Sequence, residues 1–198
     1  MELKKKKLIP GQQVSVDHFQ SALPGRLYNS KGRTAAKDMF HGGCIFVDNS
    51  SGYIQVRHQV TFNAGETVKA KLFYKRDMSS YGVCIQEYHT DNGLFTFKDF
   101  MDALIEKYQH IRFSGAGDDN QNGVTKRGIQ TVFRMARNMM IHSATRIPKG
   151  TITAELWPMA IDHAVWVYKK MHCKDYGLST YGIWSLSSFL HRKKIMST

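Results

Sequence analysis

Two aspartates stand out by position in the 198-residue sequence: Asp17 and Asp91. Asp17 sits near the end of an alternating segment, Gln13 to Asp17, that follows a Pro10-Gly11 turn. Asp91 comes just past the β-like run Val83 to Tyr88. If those two strands are neighbours in one sheet, both carboxylates project from the same edge. Paired oxygen ligands suit Mg²⁺ or Mn²⁺, which are hard ions. Two such ions held close together clamp the attacking and leaving oxygens of an in-line phosphoryl displacement. A plainer reading stays open on spacing alone: Asp91-Asn92-Gly93 is also turn chemistry, and Asp17 could be a strand-end contact with solvent.

Positioning these acids falls to a run of alternating elements. Cys44 to Asp48 and Tyr53 to Val60 flank the turn residues Asn49-Ser50-Ser51-Gly52 and read as a hairpin. A helix is expected from Gly65 to Gly82, with Val68, Leu72, Phe73 and Met78 as its apolar residues. The strand Val83 to Tyr88 follows, then a helix through Phe97, Phe100, Met101, Leu104 and Ile105, then a short strand, His110 to Phe113. A long helix from Asn122 to about His142 carries Ile129, Val132, Phe133, Ala136, Met139 and Met140 on one stripe. On the other side it carries Arg127, Arg134 and Arg137, with Lys126 toward that face. A last helix runs from about Ala154 to Met171, with Pro158 tolerated in its first turn. This order predicts an α/β protein with a five-stranded mixed sheet, right-handed crossovers and flanking helices. The expected organisation is a basic lead over 1–10, a core over 11–171 and a weakly structured tail over 172–198.

Composition narrows the function classes. With 28 Lys plus Arg against 16 Asp plus Glu the formal charge is +12. That balance points to a polyanionic partner, most often nucleic acid, bound in a salt-dependent way. At 42% hydrophobic and 12% aromatic residues the chain is too apolar for disorder. No apolar run approaches the roughly 20 residues that cross a bilayer. The Lys-rich start has no apolar segment behind it, so a secretory signal is not expected. Three cysteines without close pairing read as free thiols in a reducing compartment, which makes an intracellular location, nucleus or cytoplasm, the expectation.

Four separated motifs carry a resemblance. Val14-Ser15-Val16-Asp17-His18-Phe19, Phe46-Val47-Asp48-Asn49-Ser50-Ser51-Gly52-Tyr53-Ile54, Tyr88-His89-Thr90-Asp91-Asn92-Gly93 and Gln121-Asn122-Gly123-Val124 together resemble the integrase catalytic core of retroviruses and of copia-type retrotransposons, copia-type most closely. The likeness covers roughly Leu8 to Met171 in the family's order. It implies a ribonuclease H-like fold, a metal-dependent polynucleotidyl transferase, and DNA integration in which element ends are joined to target DNA by an enzyme that works as a multimer. Asp17 and Asp91 match the family's two catalytic, metal-binding aspartates. Asp48 matches a position that is not a metal ligand. The family's N-terminal zinc-binding region and further C-terminal sequence are not seen here, so the expectation is a truncated, decayed or detached copy of a transposable element.

The third family residue, a Glu one turn into the helix that opens with Asn-Gly-Val, falls on Lys126; 34 residues, 92 to 125, separate it from Asp91. An ammonium offers no lone pair to a metal and puts positive charge where the cation should sit. The expectation is therefore impaired catalysis, with one weakly held Mg²⁺ or Mn²⁺ between Asp17 and Asp91. Asp118 and Asp119, in the preceding loop, are considered as substitutes, although adjacent acids in a Gly-rich loop are more often solvated turn residues. DNA contact is expected from Lys126, Arg127, Arg134, Arg137, Asn122 and Gln121, helped by the basic loop at Arg26, Lys31 and Arg33; capping is the expected role of Asn122. The partners implied are DNA and other subunits, copies of this chain or intact integrase.

Overall fold

Alternation of apolar and polar residues from Gln13 onward builds the longest strand, β1 (Gln13–Gly25). Its even residues Val14 and Val16 enter one core layer and its odd residues face the other way. The computed structural model describes residues 8–29, 34–90, 94–106, 108–114, 123–172 and 177–186. Strand β2 (Phe40–Asp48) runs antiparallel to β1, and β3 (Ile54–Gln59) returns antiparallel to β2. The expected hairpin is thus formed. Helix α1 (Ala64–Ser80) then crosses over one face, so that β4 (Glu87–Thr90) lies parallel to β1 on its other side. Helix α2 (Lys98–Ile105) makes the next crossover, to β5 (His110–Phe113), parallel to β4. Sheet order is β3-β2-β1-β4-β5. Helices α3 (Gly123–Arg146) and α4 (Trp157–Lys170) cover the opposite face.

Two core layers sandwich the sheet. On the α1 side Val14, Val16, Phe46 and Tyr88 meet Tyr74, Met78, Phe100 and Leu104. On the α3 side Ile45, Val47, Ile54 and Val56 meet Val132, Ala136, Ile161 and Ala164. The apolar stripes expected on α3 and α4 are the buried ones.

Several boundaries differ from the sequence expectation. Asp17 is the fifth residue of a 13-residue strand and not near its end. Gly25 still pairs with Phe40 beyond an irregularity, and the Leu23 carbonyl accepts from Trp157 Nε1 at 3.0 Å. These distant partners carry the strand past the alternating segment. Strand β4 begins four residues later than Val83. Val83 and Ile85 are buried, but the ladder opens only at Glu87, paired with Gln13. In α1 the inward face is Thr67, Ala70, Lys71, Tyr74 and Met78, while Leu72 and Phe73 are exposed. Lys71 is tolerated inside because its ammonium donates to the Ala103 carbonyl at 2.7 Å, in the last turn of α2, and lies over the Tyr88 and Phe100 rings. Residues 180–186, part of the span expected to be weakly structured, are helical, and Trp184 is fully buried in the α1-side layer.

Candidate active site

Register fixes which side chains share a face. Asp17 stands opposite Ile45, and Ser15 opposite Val47. Directly opposed residues point to the same side of a sheet. Ile45 and Val47 belong to the layer beneath α3, so Asp17 and Ser15 face α3. Across the parallel pairing Ser15 meets His89; Asp17 lies two residues beyond Ser15 and Asp91 two beyond His89 in the sequence. Asp91 itself lies outside the described residues, as do Gln121, Asn122, Asp118, Asp119, Lys31 and Arg33.

Helix α3 is laid closely on this face. A Cβ on Gly128 would come within 3.1 Å of Val47 Cγ2 and 3.3 Å of Ile54 Cδ1, so glycine permits the approach. Two residues earlier, Lys126 is exposed, as are Arg127, Arg134 and Arg137. The expected cationic side of α3 is therefore turned to solvent. Arg26 is exposed as well, just past the end of β1.

Between the acid and the edge runs a chain of side-chain hydrogen bonds that sequence reasoning missed. Ser15 Oγ donates to Asn49 Oδ1 at 2.8 Å, Asn49 Nδ2 to Gln13 Oε1 at 2.7 Å, and Gln13 Nε2 to Glu87 Oε1 at 2.6 Å. Arg112 completes it, 3.3 Å from Glu87 Oε2. The polar odd positions of β1, Gln13, Ser15 and Asp17, were the available signal. His89 lies on the same face, 3.4 Å from Ser114 Oγ, and burial with the nearby Arg112 charge pushes its pKa down.

Asp48 has a structural task. Its carboxylate, fully buried, accepts from Gly11 N at 2.9 Å and from Ser51 N and Ser51 Oγ at 2.7 Å each, tying the hairpin turn to the start of β1. Burial pushes its pKa up, and these hydrogen bonds pull against that shift. His18 points to the opposite face from Asp17. It stacks on Phe95 at 4.5 Å and lies 3.0 Å from Cys44 Sγ. Burial, reinforced by the Asp17 charge, pushes the Cys44 thiol well up.

Of the residues expected at a metal site, Asp17 and Lys126 lie among the described residues, while Asp91, Asp118 and Asp119 do not. Among the described residues no group of three or more His, Cys, Asp and Glu side chains could hold an ion, and position 126 offers an ammonium.

A five-stranded mixed sheet in this order, with a carboxylate on its middle strand facing a long basic helix, has the ribonuclease H-like fold of integrase catalytic cores. Among solved structures the chain is similar to the HTLV-2 integrase catalytic core domain in complex with magnesium in its trimeric form, at 16% identity and a TM-score of 0.61, over 90% of this chain and 99% of that one. It is similar to the catalytic core domain of BIV integrase at 13% identity and a TM-score of 0.62, over 95% and 99%. In the simian T-cell lymphotropic virus intasome in complex with PP2A regulatory subunit B56 gamma, the likeness has a TM-score of 0.69 at 13% identity, over 91% of this chain and 56% of that one. The likeness is one of fold. The amino-acid sequence matches no protein-family model and no curated protein. Among the described residues no helix is long and apolar enough to cross a membrane.

Proposed function

We propose that the chain is a copia-type integrase core that binds DNA and assembles with other subunits, and that its polynucleotidyl-transfer chemistry is impaired. The observation that carries this reading is the placement of Lys126. It occupies the motif position where a Glu would complete the acid set, in the first turns of the helix that overlies the Asp17 face. Asp17 and Asp91 remain as the acids for one weakly held Mg²⁺ or Mn²⁺. The solved HTLV-2 core in complex with magnesium supports a divalent ion as the natural cofactor of this fold. The exposed cations Lys126, Arg127, Arg134 and Arg137 support phosphate contact along α3, and Gln121 and Asn122, which precede it in the sequence, join them in this reading. Dimeric and trimeric forms of the HTLV-2 core support self-association, and DNA as partner favours an intracellular site of action.

The test compares the parent chain with Lys126→Glu for Mn²⁺-dependent cleavage and joining of element-end DNA, with DNA binding measured in parallel. Expected are DNA binding without product in the parent and a metal-dependent stabilisation that is larger in the variant than in the parent. Robust strand transfer by the parent chain would refute impairment, and loss of all DNA binding at low salt would refute the whole reading.

A further inference from the structure

Beside the C-terminal half of α3 lies a cleft of about 410 Å³, walled by Leu23 of β1, by Phe133, Met140 and Ile141 of α3, and by Trp157 and Ile161 of α4. Two of these apolar walls stand open to solvent, Leu23 at 53% exposure and Ile141 at 55%. Arg137 is the charged residue of the lining, and Arg134 stands one turn before it on the helix. Neither guanidinium has an ion-pair partner among the described residues. The sequence holds no Asp or Glu from 120 to 154; Glu155, next to the lining residue Ala154, is the first carboxylate after that stretch. An apolar cleft flanked by unpaired cations suits apolar side chains carried beside carboxylates.

The same chain carries such a surface on α2. Asp99, Asp102 and Glu106 recur at spacings of three and four, which puts them on one stripe; all three are exposed, as is Lys98 at the start of the helix. Asp99 and Asp102 have no ion-pair partner among the described residues. At the end of the stripe stand Ile105, 69% exposed, and Tyr108, 95% exposed. Tyr108 belongs to the cap of α2: its N–H donates to the Ile105 carbonyl and the Gln109 N–H to the Leu104 carbonyl, at 3.0 Å each. Its φ is 51°, the left-handed conformation in which such a cap ordinarily carries glycine. A tyrosine held there, with its ring in solvent, adds nothing to the packing of its own chain.

The two surfaces lie on opposite faces of the sheet. Phe100 and Leu104 of α2 enter the layer beneath α1, while Ala136 and Ile161 of the cleft belong to the layer beneath α3. They cannot meet within one molecule. We propose that they meet between molecules: the end of α2 on one copy docks in the cleft between α3 and α4 of the next, with Ile105 and Tyr108 in the cleft and Asp99 and Asp102 against Arg134 and Arg137. Two different surfaces in contact make a head-to-tail association, which either closes a ring or goes on adding copies. This contact supplies a surface for the self-association proposed above and depends on that part of the reading alone.

The test follows the full chain by sedimentation velocity from roughly 5 to 500 µM, at low salt and without DNA, which contends for Arg134 and Arg137. Expected is a concentration-dependent assembly, weakened about tenfold or more by Arg137→Glu and by Asp102→Arg, because each sets like charges face to face. An equal mixture of these two variants restores association, since the unaltered α2 of the first then meets the unaltered cleft of the second. Tyr108→Gly weakens association too, yet folds as stably as the parent, because glycine suits the cap. A thermal melt of each variant checks its fold. A parent chain that stays monomeric throughout overturns this contact together with the self-association proposed above. Assembly undiminished in both charge variants, or a mixture that fails to restore it, overturns this contact alone.

Discussion

Tyr53 and Trp184, 131 positions apart, stack with ring centroids 4.9 Å apart and planes 21° from parallel. Both are buried, and the pair fastens residues 180–186 to the layer beneath α1. Trp184→Ala should remove about 3–5 kcal/mol of stability, the usual range for a large aromatic lost from a core. Trp184→Phe should lose much less, because the indole Nε1 has no hydrogen-bond partner among the described residues to forfeit. Urea unfolding curves of the two variants distinguish this from a loosely attached tail, for which both would match the parent.

Asp48 should behave as a structural residue and not as a ligand. Asp48→Ala leaves the Gly11 and Ser51 amides and the Ser51 hydroxyl without their acceptor, at a cost of about 2–4 kcal/mol. Ser51→Ala, which removes one of the three donors, should cost clearly less. Divalent-ion affinity should not change in either variant beyond what unfolding explains, which calorimetric metal titration of the folded protein can establish.

Duplex binding should lose salt dependence as α3 loses charge. Each phosphate contact removed by Arg134→Ala or Arg137→Ala should lower the slope of log affinity against log salt by about 1, with the affinity loss similar for unrelated sequences. Fluorescence anisotropy over a salt series measures both. Slopes that stay at the parent value would move the interface off this helix.

Alkaline stability should rise and then fall. Lys169 is pulled down to about 8 from 10.5, so between those values the unfolded chain binds more protons and stability climbs with pH. Tyr74 and Tyr88 are pushed up by burial, so above their ordinary value of 10.0 the folded chain keeps protons that the unfolded chain sheds, and stability drops. Melting temperatures from pH 7 to 11 should pass through a maximum, and Lys169→Met should flatten the rising limb. A monotonic fall from pH 7 would contradict the desolvated ammonium.

The order of strands and helices was legible because hydrophobic period is a local property. Residues 54–59 alternate apolar and polar side chains between the two faces of the sheet, and 129–140 repeat at helical spacing because one stripe is covered. Residues 110–113 carry the strand bounds expected of them. Other strand ends were not legible. Leu23 to Gly25 stay extended through pairing with Phe40 and a hydrogen bond from Trp157, more than a hundred residues downstream, and no local pattern encodes such partners.

By itself, then, the amino-acid order determined the element types, the α/β class and the surplus of positive charge, because each depends on neighbours within a few turns of the chain or on composition alone. Which surface each side chain joined was decided only by folding. Leu72 and Phe73 look inward on a helical wheel yet face solvent. Lys71 looks outward yet lies in the core, because the Ala103 carbonyl and two rings receive its charge there. The rotation of a helix on a sheet follows the total fit of both surfaces, and that sum exists only once the distant elements have met.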